Sequence, residues 1–129
     1  MYSGTGKNRK ISKDFLEHDA RLGQLQRDNF RKAVAAGVKM AFGTDAGVCE
    51  YGTSAKQFTF MVKYGMTPMQ AIQAATSNAA DLLGHTSEIG SIKPGKYADI
   101  IAVVGDPPAD IRLLENLTFV MKTGKIHKH

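Results

Sequence analysis

An apolar segment that ends in a glycine-flanked acid constrains this chain more than any other feature. Residues 38–42 have the alternation of a β-strand, and they lead directly into the sequence Gly-Thr-Asp-Ala-Gly, in which the acid is Asp45. In barrel enzymes the carboxyl ends of the strands carry catalytic groups, because the loops there open onto the active face. Asp and Gly also suit ordinary turns. The motif by itself therefore leaves a catalytic role and a structural role open.

The region before this segment has the pattern of a long helix. Apolar residues recur along residues 12–36 with the spacing of a broken helical stripe. Ser12 is a suitable N-cap residue, and Gly37 is well placed to end the helix. We therefore predict a helix over 12–36 and a strand over 38–43.

Two capping-box patterns predict further helices after the acidic turn. Ser54 is followed three residues later by Gln57, and Thr67 is followed in the same way by Gln70. The predicted helices cover residues 54–64 and 68–83, the second with a break near residues 76–77. Their apolar positions predict buried faces, in which methionines fill the core.

The chain changes character after Gly84. Glycine and proline residues divide the remainder into short pieces, and two apolar runs predict strands near residues 98–104 and 117–122, the second followed by a Thr123-Gly124 turn. We place a boundary near residues 85–90.

Composition excludes several classes of protein. The chain has 129 residues, of which 43% are hydrophobic and 22% charged, as in a soluble globular domain. Its net charge is +5, but it has no basic stripe with interleaved aromatic residues, so nucleic-acid binding is not indicated. No apolar run approaches the roughly 18 residues that a membrane span needs. The polar N-terminus lacks the apolar core of a signal peptide, so a cytoplasmic location is expected by default.

Five blocks occur in a diagnostic order: YGMTPMQAI, AATSNAADLLG, GSIKPGKYADII, GDPP and VMKTGK, which begin at residues 64, 74, 90, 105 and 120. Together with the acidic turn they resemble the C-terminal part of the metal-dependent amidohydrolase superfamily. The branch they resemble most holds imidazolonepropionase-like amidohydrolases and Xaa-Pro dipeptidase-like enzymes. The resemblance extends over nearly the whole chain from about residue 28.

The resemblance implies an α/β fold, in which a metal-bearing (β/α)₈ TIM barrel is flanked by a small β-sandwich. Residues 38–44 would be the eighth barrel strand and residues 54–83 the closing helices. We therefore assign residues 1–85 to the C-terminal part of the barrel and residues 86–129 to the C-terminal strands of the sandwich. A complete barrel needs about 250 residues, so the chain is expected to be a fragment of a longer enzyme.

The chemistry implied by the resemblance is hydrolysis of an amide-type C–N bond. Asp45 matches the family's acid at the end of the eighth strand, which binds the divalent metal, most often zinc, or its water. This acid also takes a proton from the water and passes it to the leaving nitrogen. Tyr51 and Gly52 stand where close relatives often carry a His-Gly pair. They are therefore candidate substrate-binding residues.

The family's other metal ligands come from earlier strands: a His-x-His pair, often a carboxylated lysine, and two further histidines. This chain has only four histidines, His18, His85, His127 and His129. We predict that His18 and His85 are surface residues and that the last two lie in a flexible terminal tail. The chain alone is therefore expected to bind no catalytic metal.

Two functions remain open. The first is a fragment of an amidohydrolase or dipeptidase-like hydrolase that acts on a small amide or dipeptide in the complete enzyme and is inactive alone. The alternative is a non-catalytic remnant or interaction module. A single barrel strand cannot close a sheet, so the unpaired edges of residues 38–42 predict self-association or pairing with a complementary chain. No nucleic-acid or membrane partner is expected.

Overall fold

The computed structural model describes residues 13–44 and 52–129. Helices occupy the first part of the described chain and strands the last. In chain order the elements are α1 (Lys13–Ala35), α2 (Lys56–Lys63), α3 (Pro68–Ala75), α4 (Ser77–Leu82), β1 (Ile100–Ala102), a 3₁₀ helix (Ile111–Glu115), β2 (Phe119–Lys122) and β3 (Lys125–Lys128). The strands form one antiparallel sheet in the order β1-β2-β3.

The end of α1 is set by a glycine, as its sequence predicts. Gly37 has φ +70°, its N–H donates to the carbonyl of Val34, and the N–H of Val38 donates to the carbonyl of Ala33, each over 3.0 Å. This pair of bonds is a Schellman motif, which needs a residue in the left-handed region. The predicted first helix is confirmed over the described residues, together with its end at Gly37, and its predicted N-cap, Ser12, lies outside the described residues.

The capping box at the start of α3 is also confirmed. The Thr67 hydroxyl accepts from the N–H of Gln70 over 3.2 Å, and the Gln70 side chain accepts from the N–H of Thr67 over 2.8 Å. The predicted break after this helix lies at Thr76, whose backbone leaves the helical region at φ −125° and ψ −92°. Its hydroxyl donates to the carbonyl of Ile72 over 2.7 Å.

The capping box predicted at Ser54 is wrong. The helix begins at Lys56, two residues after the predicted start, and no side chain caps it. An N-cap residue needs an extended backbone, but Ala55 is already right-handed helical, at φ −63° and ψ −25°. The N–H of Lys56 donates instead to the carbonyl of Thr53, within a tight turn that precedes the helix.

The core lies where α1, α2 and α3 meet. Its buried residues are Met61, Met66, Ala71 and Ala74, and half-buried residues pack against them: Phe30, Val34, Met40, Phe42, Phe58 and Val62. Alanines on α3 allow close approach of its neighbours, and the methionines fill the remaining space. Met69, which the helical pattern assigns to the core, is 47% exposed, and Leu82 and Leu83 are 76% and 62% exposed.

Residues 38–43 do not form the predicted strand. Instead, this segment is bound to helices: the N–H of Phe42 donates to the carbonyl of Ala74 over 2.9 Å, and the Asn78 amide donates to the carbonyl of Met40 over 3.1 Å. A strand exists only through its hydrogen-bonded neighbours. Within the described residues the only strands are β1, β2 and β3, which pair with one another.

The sheet confirms two predicted strands and corrects the predicted flexible tail. β1 and β2 lie inside the predicted ranges and pair with Ile100 opposite Met121. The predicted flexible tail at His127 is wrong, because this residue lies in β3, which pairs with β2. The turn between them has φ +50° at Thr123 and φ +77° at Gly124. Two successive positive φ angles match the twist of a hairpin, so the turn promotes the third strand.

Asp99 ties the start of the sheet to this hairpin. Its carboxylate accepts from the N–H of Thr123 over 2.7 Å and pairs with the Lys122 ammonium. The bond to Lys122, followed by that from Thr123, lowers the pKa of Asp99 below its usual value of 3.8. A carboxyl whose pKa is lower in the folded chain stabilises the fold when ionised. This contribution is present above about pH 4 and is lost as the pH falls through the folded pKa.

We therefore expect an NMR titration of the Asp99 carboxyl to have its midpoint below 3.8. The substitution Lys122→Met should move that midpoint upward, because it removes the main cause of the shift. Lys125→Met, on the same hairpin, should leave the midpoint unchanged. Equal midpoints in all three chains would contradict the pairing of Asp99 with Lys122.

Candidate functional site

The structure describes the chain on both sides of the candidate acid. Asp45 and Tyr51 fall within residues 45–51, outside the described residues. Thr44 ends the described part before the loop, and Gly52 begins the part after it. The predicted roles of Asp45 and Tyr51 therefore stay predictions, and the structure shows how the chain on either side is held.

The first flank is anchored by aromatic packing. The Phe42 ring stacks on the Phe58 ring of α2, with centroids 5.0 Å apart and planes 6° from parallel. Because the backbone of Phe42 is also bonded to Ala74, both its main chain and its side chain are held by helices. Asp45 therefore follows three residues after a doubly anchored position.

The described residues on the two sides of positions 45–51 approach each other. The hydroxyl oxygens of Thr44 and Ser54 lie 3.5 Å apart, and both residues are half-buried. This contact joins the residue before Asp45 to the turn that leads into α2. Sequence patterns missed it, because Ser54 was interpreted as a helix cap and Thr44 as part of a strand.

Gly52 is the predicted site residue that the structure does describe. Its φ is +90°, and a Cβ built there would meet nothing within 4 Å. The conformation, and not a lack of space, is therefore what favours glycine here.

A second set of contacts holds the start of the segment against α4. The Lys39 ammonium lies 2.6 Å from the Asp81 carboxylate, with both side chains more than half exposed. Asn78 of the same helix holds the carbonyl of Met40. Asn78 is a residue that the helical pattern did not single out as functional. It positions the backbone that leads to Asp45.

The described residues do not bring together a metal site. No group of three or more His, Cys, Asp or Glu side chains in residues 13–44 and 52–129 is placed to hold a metal ion. His18 is exposed on α1, as predicted, and His85 is exposed after α4, with its Nδ1 2.9 Å from the Glu88 carboxylate. His127 belongs to β3. A catalytic zinc normally needs three protein ligands, so these residues do not fit one.

The sequence profile of the amidohydrolase family matches residues 6–128, and the chain belongs to that family. The resemblance drawn from the five sequence blocks is thereby confirmed. None of the described helices is long and apolar enough to cross a membrane.

Solved and curated relatives agree with this assignment. A Xaa-Pro dipeptidase, solved with methionine bound in its active site, is 51% identical, with a TM-score of 0.77 over 80% of this chain and 25% of that chain. The ochratoxinase of Aspergillus niger is 38% identical over 104 residues, which are 77% of this chain and 21% of that protein. The imidazolonepropionase of Geobacillus kaustophilus is 39% identical over 77 residues, 55% of this chain and 18% of that protein. The chain thus spans about a fifth of the length of the curated relatives it matches.

Proposed function

We propose that these residues form the C-terminal part of a metal-dependent enzyme that hydrolyses amide-type C–N bonds. The observation that carries the proposal is the 51% identity to a Xaa-Pro dipeptidase, together with a TM-score of 0.77. In this proposal residues 1–85 supply the last strand and closing helices of a TIM barrel, and residues 86–129 supply strands of a β-sandwich. The segment 38–44 becomes a true strand when neighbouring barrel strands pair with it.

Asp45 is the proposed catalytic acid and base. A carboxylate accepts a proton from the attacking water and, once protonated, donates it to the leaving nitrogen. The anchoring of Phe42 and the contact between Thr44 and Ser54 support this role, because a proton-transfer group must be held within hydrogen-bond reach of the reacting atoms.

The remaining metal ligands would come from outside these 129 residues. The divalent metal, zinc in our proposal, would supply a water of lowered pKa when bound. Asp45 would be the one ligand that this chain contributes. Tyr51 and Gly52 would lie on the substrate side of the same loop, where they contact a small amide or dipeptide.

A chimera tests this proposal. Residues 13–129 would replace the matching quarter of the Xaa-Pro dipeptidase, which then supplies the remaining barrel strands and ligands. We expect the chimera to fold and to hydrolyse a Xaa-Pro dipeptide in a continuous assay. A folded, zinc-loaded chimera without hydrolysis would contradict the proposed function.

We also propose that the isolated chain associates with itself or with a complementary chain. Among the described residues, the backbone groups of Lys39 and Ala41 have no hydrogen-bond partner, and Val38 is 55% exposed. Such an edge favours pairing with another strand. Light scattering at micromolar concentration should therefore give a mass above that of one chain.

A proline tests whether this edge is responsible. Ala41→Pro removes the N–H that a partner strand would need, so it should shift the chain toward the monomer. Ala41→Ser keeps the N–H and should leave the association unchanged. A stable, folded monomer of the unsubstituted chain would contradict the proposal.

A further inference from the structure

A cavity of about 350 Å³ lies between α1 and α2. Its volume falls within the range of small-molecule sites, about 300–1,000 Å³. The lining residues come from one face of each helix and from the residue that ends α2: Gly23, Gln26, Arg27, Phe30, Gln57, Phe60, Met61 and Tyr64.

The floor of this cavity is apolar. Met61 is only 6% exposed and belongs to the core, and Phe30 packs against the same core. Phe60 is 47% exposed, which is high for a phenylalanine beside a concave surface. A hydrocarbon group placed here would cover the surface of the Phe60 ring that is now exposed to solvent.

One wall of the cavity carries a cation without an acidic partner. Arg27 has no carboxylate within ion-pair distance among the described residues, and its guanidinium donates only to the Gln24 side chain, over 3.1 Å. Arg31, one turn further along α1, is instead paired with Asp28 at 2.8 Å. The guanidinium of Arg27 is therefore free to form a charge-assisted hydrogen bond.

Further positive charge surrounds Tyr64. The Arg31 guanidinium lies 4.9 Å from the centre of the Tyr64 ring, and the Lys63 ammonium lies 5.9 Å from it. The carboxylate of Asp28 is already engaged by Arg31 and Gln24. Arg27 thus lines the cavity itself, and Lys63 and the paired Arg31 lie beside Tyr64, another lining residue, which favours an anionic ligand.

Gly23 makes room for this arrangement. A Cβ built at this position would lie 3.1 Å from Nη1 of Arg27, closer than an ordinary contact. The Arg27 side chain therefore lies along α1 toward the position of Gly23. Glycine in the middle of a helix costs stability relative to alanine. Here the glycine lies beside the Arg27 guanidinium.

We propose that this cavity binds a small apolar carboxylate. The hydrocarbon body would lie on Phe30, Phe60 and Met61, and the carboxylate would accept hydrogen bonds from Arg27. This binding site is separate from the proposed hydrolysis at Asp45 and does not depend on it.

The test uses the 129-residue chain with 4-phenylbutyrate and with its uncharged amide. Chemical shifts of the methionine methyl groups and aromatic rings would be followed by NMR during each titration. We expect saturable binding of the carboxylate, with shifts at Met61, Phe30 and Phe60, and affinity for the amide lower by about tenfold or more.

Three variants locate the carboxylate. Arg27→Gln should weaken binding of the carboxylate by about tenfold or more and leave the amide unaffected. Arg21→Gln removes an exposed charge from the same helix and should change neither affinity. Gly23→Ala requires the flexible Arg27 side chain to shift by only a few tenths of an ångström, so it should raise helix propensity and leave carboxylate binding largely unchanged.

Several results would overturn the site. One is equal affinity for the carboxylate and the amide, and another is an equal effect of Arg27→Gln and Arg21→Gln on binding. The others are chemical-shift changes at residues away from the cavity and the lack of saturable binding at millimolar concentration.

Discussion

Exchange of Asp45 for asparagine is expected to lower kcat of the dipeptidase chimera by about 10²–10⁴-fold, the usual contribution of a positioned acid or base. Asparagine keeps the size of the side chain and can still contact a bound ion, but it cannot take up and release a proton. The loss should therefore fall mainly on kcat, with a smaller change in KM for the Xaa-Pro dipeptide. Zinc content of the chimera should be measured alongside, since Asp45 is also a proposed ligand.

A matched acid-to-amide change provides the control. Asp19 is exposed on α1, so Asp19→Asn should retain the activity of the chimera. If Asp45→Asn retained full kcat with its zinc bound, the assignment of Asp45 as the proton-transfer group would be wrong.

The substitution Met61→Ala should lower the free energy of unfolding of the chain by about 2–5 kcal/mol. Met61 is 6% exposed and lies at the centre of the core formed with Met66, Ala71 and Ala74. Truncation removes buried apolar surface and leaves a cavity in the middle of that core. Urea unfolding followed by circular dichroism gives the change directly.

Met69→Ala is the matched control for this prediction. Met69 is 47% exposed on α3, so its truncation should cost about 1 kcal/mol or less. Equal losses from the two substitutions would show that the core is not centred on Met61.

Features set by local backbone chemistry were predictable from the sequence. Gly37 ends α1 and Thr67 caps α3 because each depends on residues within one turn of it. The capping box at Ser54 failed although its letters fit, because the backbone of the next residue is already helical. The residue types alone do not predict which residue of a turn keeps an extended backbone.

Features that depend on distant partners were not predictable in the same way. Residues 38–43 have strand character, but within the described structure they bind Ala74 and Asn78 instead of another strand. The strand at Lys125–Lys128 was missed because a charged sequence at the end of a chain has the character of a tail. The Thr123-Gly124 turn brings this segment beside β2, and pairing with β2 makes it a strand.

The candidate site also has one residue that the sequence identifies and contacts that it does not. Asp45 was identified through the order of sequence blocks shared with a family, and the match over residues 6–128 confirms that family. The contact between Thr44 and Ser54, which are ten positions apart, depends on how the chain between them folds back, and the cavity beside Arg27 depends on the spacing of two helices. No periodicity or motif encodes such contacts.

We propose that this chain contributes one acid to an amidohydrolase site whose other ligands come from elsewhere. Metal analysis of the isolated chain and of the dipeptidase chimera, each dialysed after zinc loading, distinguishes this arrangement from a site complete within the chain. We expect the chimera to retain stoichiometric zinc and to hydrolyse a Xaa-Pro dipeptide, and the isolated 129 residues to do neither, because a single carboxylate binds zinc weakly. Stoichiometric zinc and turnover by the isolated chain, abolished by Asp45→Asn, would contradict the claim and would mean that copies of this chain complete the site for one another.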